Sequence, residues 1–211
     1  MKQALGFLSL LLGFNLFCIA RPNIVVVFVD DHAFEAISAY GTYLKGYAKT
    51  PTIDRLADEG MRFDNFVCAN SICSPSRASI LTGQYSHRNG VLGLNGYIND
   101  NSPQYPEQLK EVGYETFLVG KWHLKSLPKG YDKYMVVKGQ GRYFDPTFTG
   151  SEGTWKRKGY STDVYTDIAM DWLKERDKEK PFLLSLKTPT SAATPLKSKF
   201  LSLIPIRSRS S

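Results

Sequence analysis

The sequence predicts an α/β fold built on a mostly parallel sheet flanked by helices. Three observations predict it. "NIVVVFV" (23–29) is a continuous apolar run and "KPFLLSL" (180–186) a largely apolar one, the pattern of strands covered on both faces. Such runs alternate along the chain with segments of helical period. With 211 residues, 42% of them hydrophobic, the chain has enough for one sizeable core.

The elements follow in order. Residues 1–20 read as a secretory signal peptide, with Lys2 before the apolar "ALGFLSLLLGFNLF" and small residues in "CIA" before Arg21. A membrane anchor or a buried element is the alternative. Cleavage would remove Cys18, leave Cys68 and Cys73, and mark the chain as exported: periplasmic, lysosomal-like or extracellular. The strand "NIVVVFV" stops at Asp30-Asp31. "PTIDRLADEG" is a short helix whose Ile53, Leu56 and Ala57 share a face, with Gly60 as its stop. "MRFDNFVCAN" reads as a strand leading into a loop. "PSRASILTGQY" is a helix with Pro75 in its first turn. "PEQLKEVG" is a helix ended by glycine, and "YETFLVGKWH" a strand followed by a loop. "YSTDVYTDIAMDWLKERDKEK" is the longest helix, with Val164, Ile168 and Trp172 as an i, i+4, i+8 stripe and its lysines late. From Lys187 the pattern dissolves into Ser, Thr, Pro and basic residues. The domains read as signal peptide (1–20), a catalytic-domain part (21–186) and a basic tail (187–211).

Most of the formal net charge of +7 lies in that tail, which holds five basic residues and no acid; with Lys2 also set aside, 21 basic residues face 20 acidic ones and the body is close to neutral. No basic stripe argues for nucleic acid. Beyond the N-terminus no run of about 20 apolar residues occurs, so stable membrane insertion is not expected.

In parallel sheets, ligands gather at the carboxyl ends of strands. Asp30-Asp31 and Lys121-Trp122-His123 both fall at such ends. Two adjacent carboxylates there suit a hard divalent cation, or else one caps a helix and the other is solvated. Cys73 directly precedes Ser74-Pro75-Ser76-Arg77. In an exported chain it pairs with Cys68, stays a free thiol, or sits at an anion site formed by the following helix and Arg77.

The run Cys73-Ser74-Pro75-Ser76-Arg77, followed by "ASILTG", resembles the signature of the type I, formylglycine-dependent sulfatases. "NIVVVFVDDH", "TPTIDRLADEGMRFDNF" and "GYETFLVGKWHL" resemble other blocks of that family. The resemblance implies an alkaline phosphatase-like sulfatase fold and a chain corresponding to the N-terminal part of the catalytic domain. It implies that Cys73 is oxidised to formylglycine by a separate formylglycine-generating enzyme. The hydrated aldehyde attacks the sulfur of a sulfate ester, and its second hydroxyl then expels sulfate. Asp30 and Asp31, with the modified Cys73, would hold Ca2+. Arg77 would stabilise the ionised diol, and Lys121 and His123 would contact sulfate, with His123 the proton acceptor. His87 would line the substrate pocket or serve the structure, and His32 is a weaker candidate. "DDHAFEAISAYG", "NSICSPSRASILTG" and "KGQGRYFDPTF" resemble the sulfatases of 6-sulfated N-acetylglucosamine in glycosaminoglycans or mucins. The expected partner is therefore a sulfated carbohydrate, with other glycans or aryl sulfates as alternatives.

The resemblance also breaks. The family carries Lys-x-Pro-His after the "KPFLLSL" strand, where this chain has Lys187-Thr188-Pro189-Thr190. The later metal ligands, the second active-site lysine and the C-terminal subdomain have no counterpart. The expectation is a frameshift or truncation after Pro189, a genuine short polar tail being the alternative. An inactive remnant that at most binds sulfated glycans, and a phosphoesterase of the same superfamily, are the competing functions.

Overall fold

The computed structural model describes residues 21–188. The signal-peptide reading and nearly all of the tail reading lie outside them. The sheet has six strands: β1 (Ile24–Val29), β2 (Glu115–Lys121), β3 (Lys133–Val137), β4 (Thr147–Gly150), β5 (Gly153–Lys156) and β6 (Phe182–Thr188). Their spatial order is β1-β6-β2-β3-β4-β5. The first four positions are parallel, and β4 and β5 add an antiparallel hairpin. The helices are α1 (Pro51–Glu59), α2 (Cys73–Thr82), α3 (Ser86–Asn89), α4 (Tyr105–Glu111) and α5 (Ser161–Glu175).

The runs are largely apolar because both faces of the sheet are covered. Side chains alternate across a strand. Phe117, Val119, Leu184 and Leu186 therefore face α5, where Val164, Ile168 and Trp172 form the expected stripe. Trp172 stacks on Phe117 with ring centroids 5.0 Å apart and meets Phe182 edge-on at 5.7 Å. Leu118, Val136 and Leu183 face the other way, onto Ala78 and Leu81 of α2. This second layer fixes α2, and with it Cys73, over the carboxyl end of the sheet.

Two sequence expectations, a strand over 61–70 and a tail beginning at Lys187, are corrected. Residues 61–70 form no strand: the segment has no ladder partner, and Phe63, Phe66 and Val67 are exposed. Helix α1 forms, but none of its residues is buried. Its contact is polar instead, Ser38 Oγ donating to Asp54 at 2.7 Å. Lys187 and Thr188 are not tail residues. They extend β6 between β1 and β2, with Lys187 opposite both Phe28 and Gly120, and both are buried.

That extension explains Gly120. Its φ is +112°, and a Cβ there would stand 2.0 Å from the Lys187 carbonyl oxygen. Gly120→Ala should cost about 3 kcal/mol or more in denaturant unfolding. Gly139→Ala, with φ +59° and nothing within 4 Å of the added Cβ, should cost only about 1–2 kcal/mol for its left-handed backbone. Equal losses would mean that strand packing at Gly120 is not as tight as described.

Candidate active site

Three carboxyl-end segments converge. Asp30 follows β1, Lys121 ends β2, and Cys73 and Arg77 lie in the first two turns of α2. The strand β6 runs between β1 and β2, so the Asp30–Lys121 contact reaches across it. Asp30, Arg77 and Lys121 are all buried, the two cations at 1% exposure each. Lys121 Nζ donates to Asp30 Oδ2 and lies 3.7 Å from Cys73 Sγ. Arg77 Nη1 donates to the Lys121 carbonyl at 2.6 Å, and its guanidinium lies 5.0 Å from the Phe28 ring centroid. Arg77 Nη2 stands 3.3 Å from Asp30 Oδ1, close enough for an ion pair but without hydrogen-bond geometry. Nε and Nη2 are consequently buried donors with no hydrogen-bond acceptor among the described residues. Burial pulls the Arg77 pKa below the ordinary arginine value, and Asp30 opposes the shift; the group stays charged at any working pH.

Two cations face one buried carboxylate, so the cluster retains a positive charge. Such a place favours an anion. Lys187 is close by, its Nζ 4.7 Å from the Trp122 ring centroid, and its pKa is driven well below the ordinary lysine value by burial and then by Arg77.

His123 follows two residues after Lys121. Its φ of +54° is unusual for a side-chain-bearing residue. Ser74 Oγ donates to its carbonyl at 2.5 Å, which ties this strained backbone to the start of α2. Its Nδ1 is buried with no hydrogen-bond partner among the described residues.

Cys68 and Cys73 are both free; Cys68 Sγ donates instead to the Asn70 carbonyl at 2.8 Å. His87 is not brought into the cluster: it is exposed in α3, and its ring stacks on Tyr85 at 6.0 Å. His32 approaches the Ala36 carbonyl at 3.4 Å. The metal set of Asp30, Asp31 and Cys73 is not assembled. Among the described residues no group of three or more His, Cys, Asp or Glu side chains stands ready for a metal ion. Asp31 is exposed with φ +51°, and Asp30 turns its two oxygens to Lys121 and Arg77. Gln140 was absent from the sequence-based candidates, yet its Oε1 accepts from Lys121 Nζ. The signal available was Gly139-Gln140-Gly141 at the end of a strand.

A mostly parallel sheet with a cysteine, an arginine and a lysine over its carboxyl ends defines an α/β protein with a candidate anion site. Comparison narrows the class. Residues 22–197 match the Sulfatase family, and the chain belongs to it. It is 44% identical over 167 residues to the N-acetylglucosamine-6-O-sulfatase of Bacteroides thetaiotaomicron, covering 78% of this chain and 29% of that one. To human N-acetylgalactosamine-6-sulfatase it is 31% identical over 204 residues, covering 77% and 38%. The solved structure of BT4656 with its substrate D-glucosamine-2-N,6-O-disulfate superposes with a TM-score of 0.76 at 43% identity, covering 80% of this chain and 34% of that chain. The chain thus spans about a third of the length of these relatives.

His123 carries a pH prediction. Burial first, then the charges of Lys121 and Arg77, lower its pKa from the ordinary 6.5. The unfolded chain takes up this proton near pH 6.5, the folded chain only at lower pH. The stability His123 contributes is present above pH 6.5 and is lost as pH falls through the folded value. An NMR titration of the His123 ring should give a midpoint below 6.5, and Lys121→Met should raise it. A midpoint at or above 6.5 in the parent chain would contradict the site as described.

Proposed function

We propose that this chain carries the nucleophile side of an exported carbohydrate sulfatase, acting on 6-sulfated N-acetylglucosamine in glycosaminoglycan or mucin. The observation that supports it is the placement of Cys73 Sγ 3.7 Å from Lys121 Nζ, beside an arginine with buried donors that lack an acceptor. The names of the two sulfatase relatives and the disulfated sugar bound to BT4656 support the substrate class.

Oxidised by a formylglycine-generating enzyme, Cys73 would supply a hydrated aldehyde whose hydroxyl attacks the sulfur of the ester as the S–O bond to the sugar breaks and the sugar alcohol leaves. The second hydroxyl then loses its proton, expels sulfate and restores the aldehyde. The chain's own residues prepare for this. Lys121 binds the sulfate oxygens and offsets their charge. Arg77 stabilises the ionised oxygen at position 73 through Nε and Nη2. His123 is held neutral by burial and its cationic neighbours, so it accepts the proton released when sulfate departs. Ser74 fixes the His123 backbone for that transfer.

Calcium, which the resemblance implies, does not fit the described residues as they stand. The ion takes six to eight oxygens. Among the described residues Asp30 and Asp31 stand at this strand end, and Asp30 already faces two cations.

Co-expression with a formylglycine-generating enzyme should replace the sulfur of Cys73 by oxygen, read by peptide mass spectrometry. An unmodified Cys73 peptide in all material would contradict the proposal. Turnover of N-acetylglucosamine 6-sulfate by the converted 211-residue chain should fall at least about 100-fold below that of the Bacteroides relative, because an incompletely held site loses orientation. Comparable rates would show that the metal ligands are complete in a way the described residues do not reveal.

A further inference from the structure

The turn after β3 builds a second polar pocket against the candidate active site. Gly139 and Gly141 have φ of +59° and +76°, and the Gly141 N–H donates to the Lys138 carbonyl at 3.1 Å. A Cβ on Gly141 would stand 2.7 Å from Val137 Cγ2. The turn is therefore pressed onto the strand end, with little room to move. It carries Gln140 to Lys121, whose Nζ the Gln140 carbonyl oxygen accepts.

On the turn's open side lies a pocket of about 320 Å³, lined by Lys138, Gln140, Gly141, Arg142 and Thr147. That size is at the small end of the range for ligand sites, about 300–1,000 Å³. Its lining offers two cations, an amide and a hydroxyl, and no acid. An amide whose oxygen is engaged by Lys121 still carries two N–H donors. The next residues in the chain, Tyr143 and Phe144, expose their rings at 54% and 66%. Exposed aromatic faces beside polar donors are suited to ligands with one apolar and one polar side, such as a sugar ring.

We infer that this pocket is a subsite for a second anionic substituent, a sulfate or carboxylate, on the sugar whose sulfate ester faces Cys73. The inference rests on the sulfatase reading and adds a determinant of specificity to it. Lys121 joins the two places: one side chain touches Cys73 on one side and Gln140 on the other. A ligand that fills the first place and projects a second anion past Lys121 meets Lys138 and Arg142. Arginine offers that anion a planar fork, lysine a point charge. Because both are exposed, their contribution is modest and sensitive to salt.

The test is isothermal titration calorimetry of the full 211-residue chain with two probes, glucosamine 2-N,6-O-disulfate and N-acetylglucosamine 6-sulfate. The parent chain should bind the disulfated sugar about three- to tenfold more tightly at low salt, and the preference should shrink as salt rises. In the double variant Lys138→Gln/Arg142→Gln the ratio of the two Kd values should approach one. Lys121→Met should weaken both sugars. A parent chain without preference, or a ratio that the double variant leaves unchanged, overturns the subsite while the Lys121 effect keeps the sulfatase reading standing. Binding of neither sugar, or binding untouched by Lys121→Met, overturns that reading and the subsite with it.

Discussion

The buried carboxylate of Asp30 is the point on which the site depends. It stands at the end of β1, yet its partners come from β2 and α2, on the far side of β6 and above the sheet. Burying a charge costs several kcal/mol unless a partner compensates it. Asp30 has two partners, and each of them is almost completely buried. Removing Asp30 leaves two cations unbalanced in a dry place, and removing either cation leaves Asp30 one partner short, so each member helps hold the others in position. The arithmetic of charge then sets the chemistry. One anion against two cations leaves a surplus positive charge next to Cys73, and the arginine keeps donors without acceptors. The cluster is stable as a structure and still incomplete as a set of hydrogen bonds, which is the condition for binding an anion there.

Much of the frame was legible in the sequence because hydrophobic pattern and topology agree. The runs at Ile24, Phe117 and Leu183 are largely apolar because α2 and α5 cover opposite faces of the sheet. The stripe Val164, Ile168, Trp172 lies where helical period places it. Where the pattern failed, a partner was lacking. Met61 and Phe63 alternate as a strand would, but residues 61–70 find no neighbouring strand to complete a ladder. Ile53 and Leu56 share a face of α1 that meets no core among the described residues. The hairpin of β4 and β5 escaped notice because its strands are four residues each and barely apolar.

The site divides in the same way. Cys73, Arg77, Lys121 and Asp30 carry charge or reactive chemistry at strand ends and helix starts, so spacing and residue type marked them. The metal set implied by the resemblance is not gathered among the described residues: Asp30 directs its oxygens to Lys121 and Arg77, and Asp31 is exposed. Gln140 and Ser74 act through an amide and a hydroxyl on groups distant in sequence, and neutral residues of this kind leave no mark in composition or period. Lys187 was placed in the tail because its neighbours after Thr188 are polar and basic. Its burial follows from ladder positions opposite Phe28 and Gly120, which only the register of three strands reveals.

A double-mutant cycle on Asp30 and Lys121 tests the central claim most directly. Urea unfolding would be measured for the parent chain, Asp30→Asn, Lys121→Met and the pair. Asp30→Asn should cost about 3–5 kcal/mol, because it strands two buried cations, and Lys121→Met should cost less, because Arg77 still faces Asp30. The pair together should cost much less than the sum, with a coupling energy of at least about 1.5 kcal/mol. Additive losses, to within about 0.5 kcal/mol, would show that Asp30 and Lys121 do not hold one another, and that another interaction places Lys121 beside Cys73.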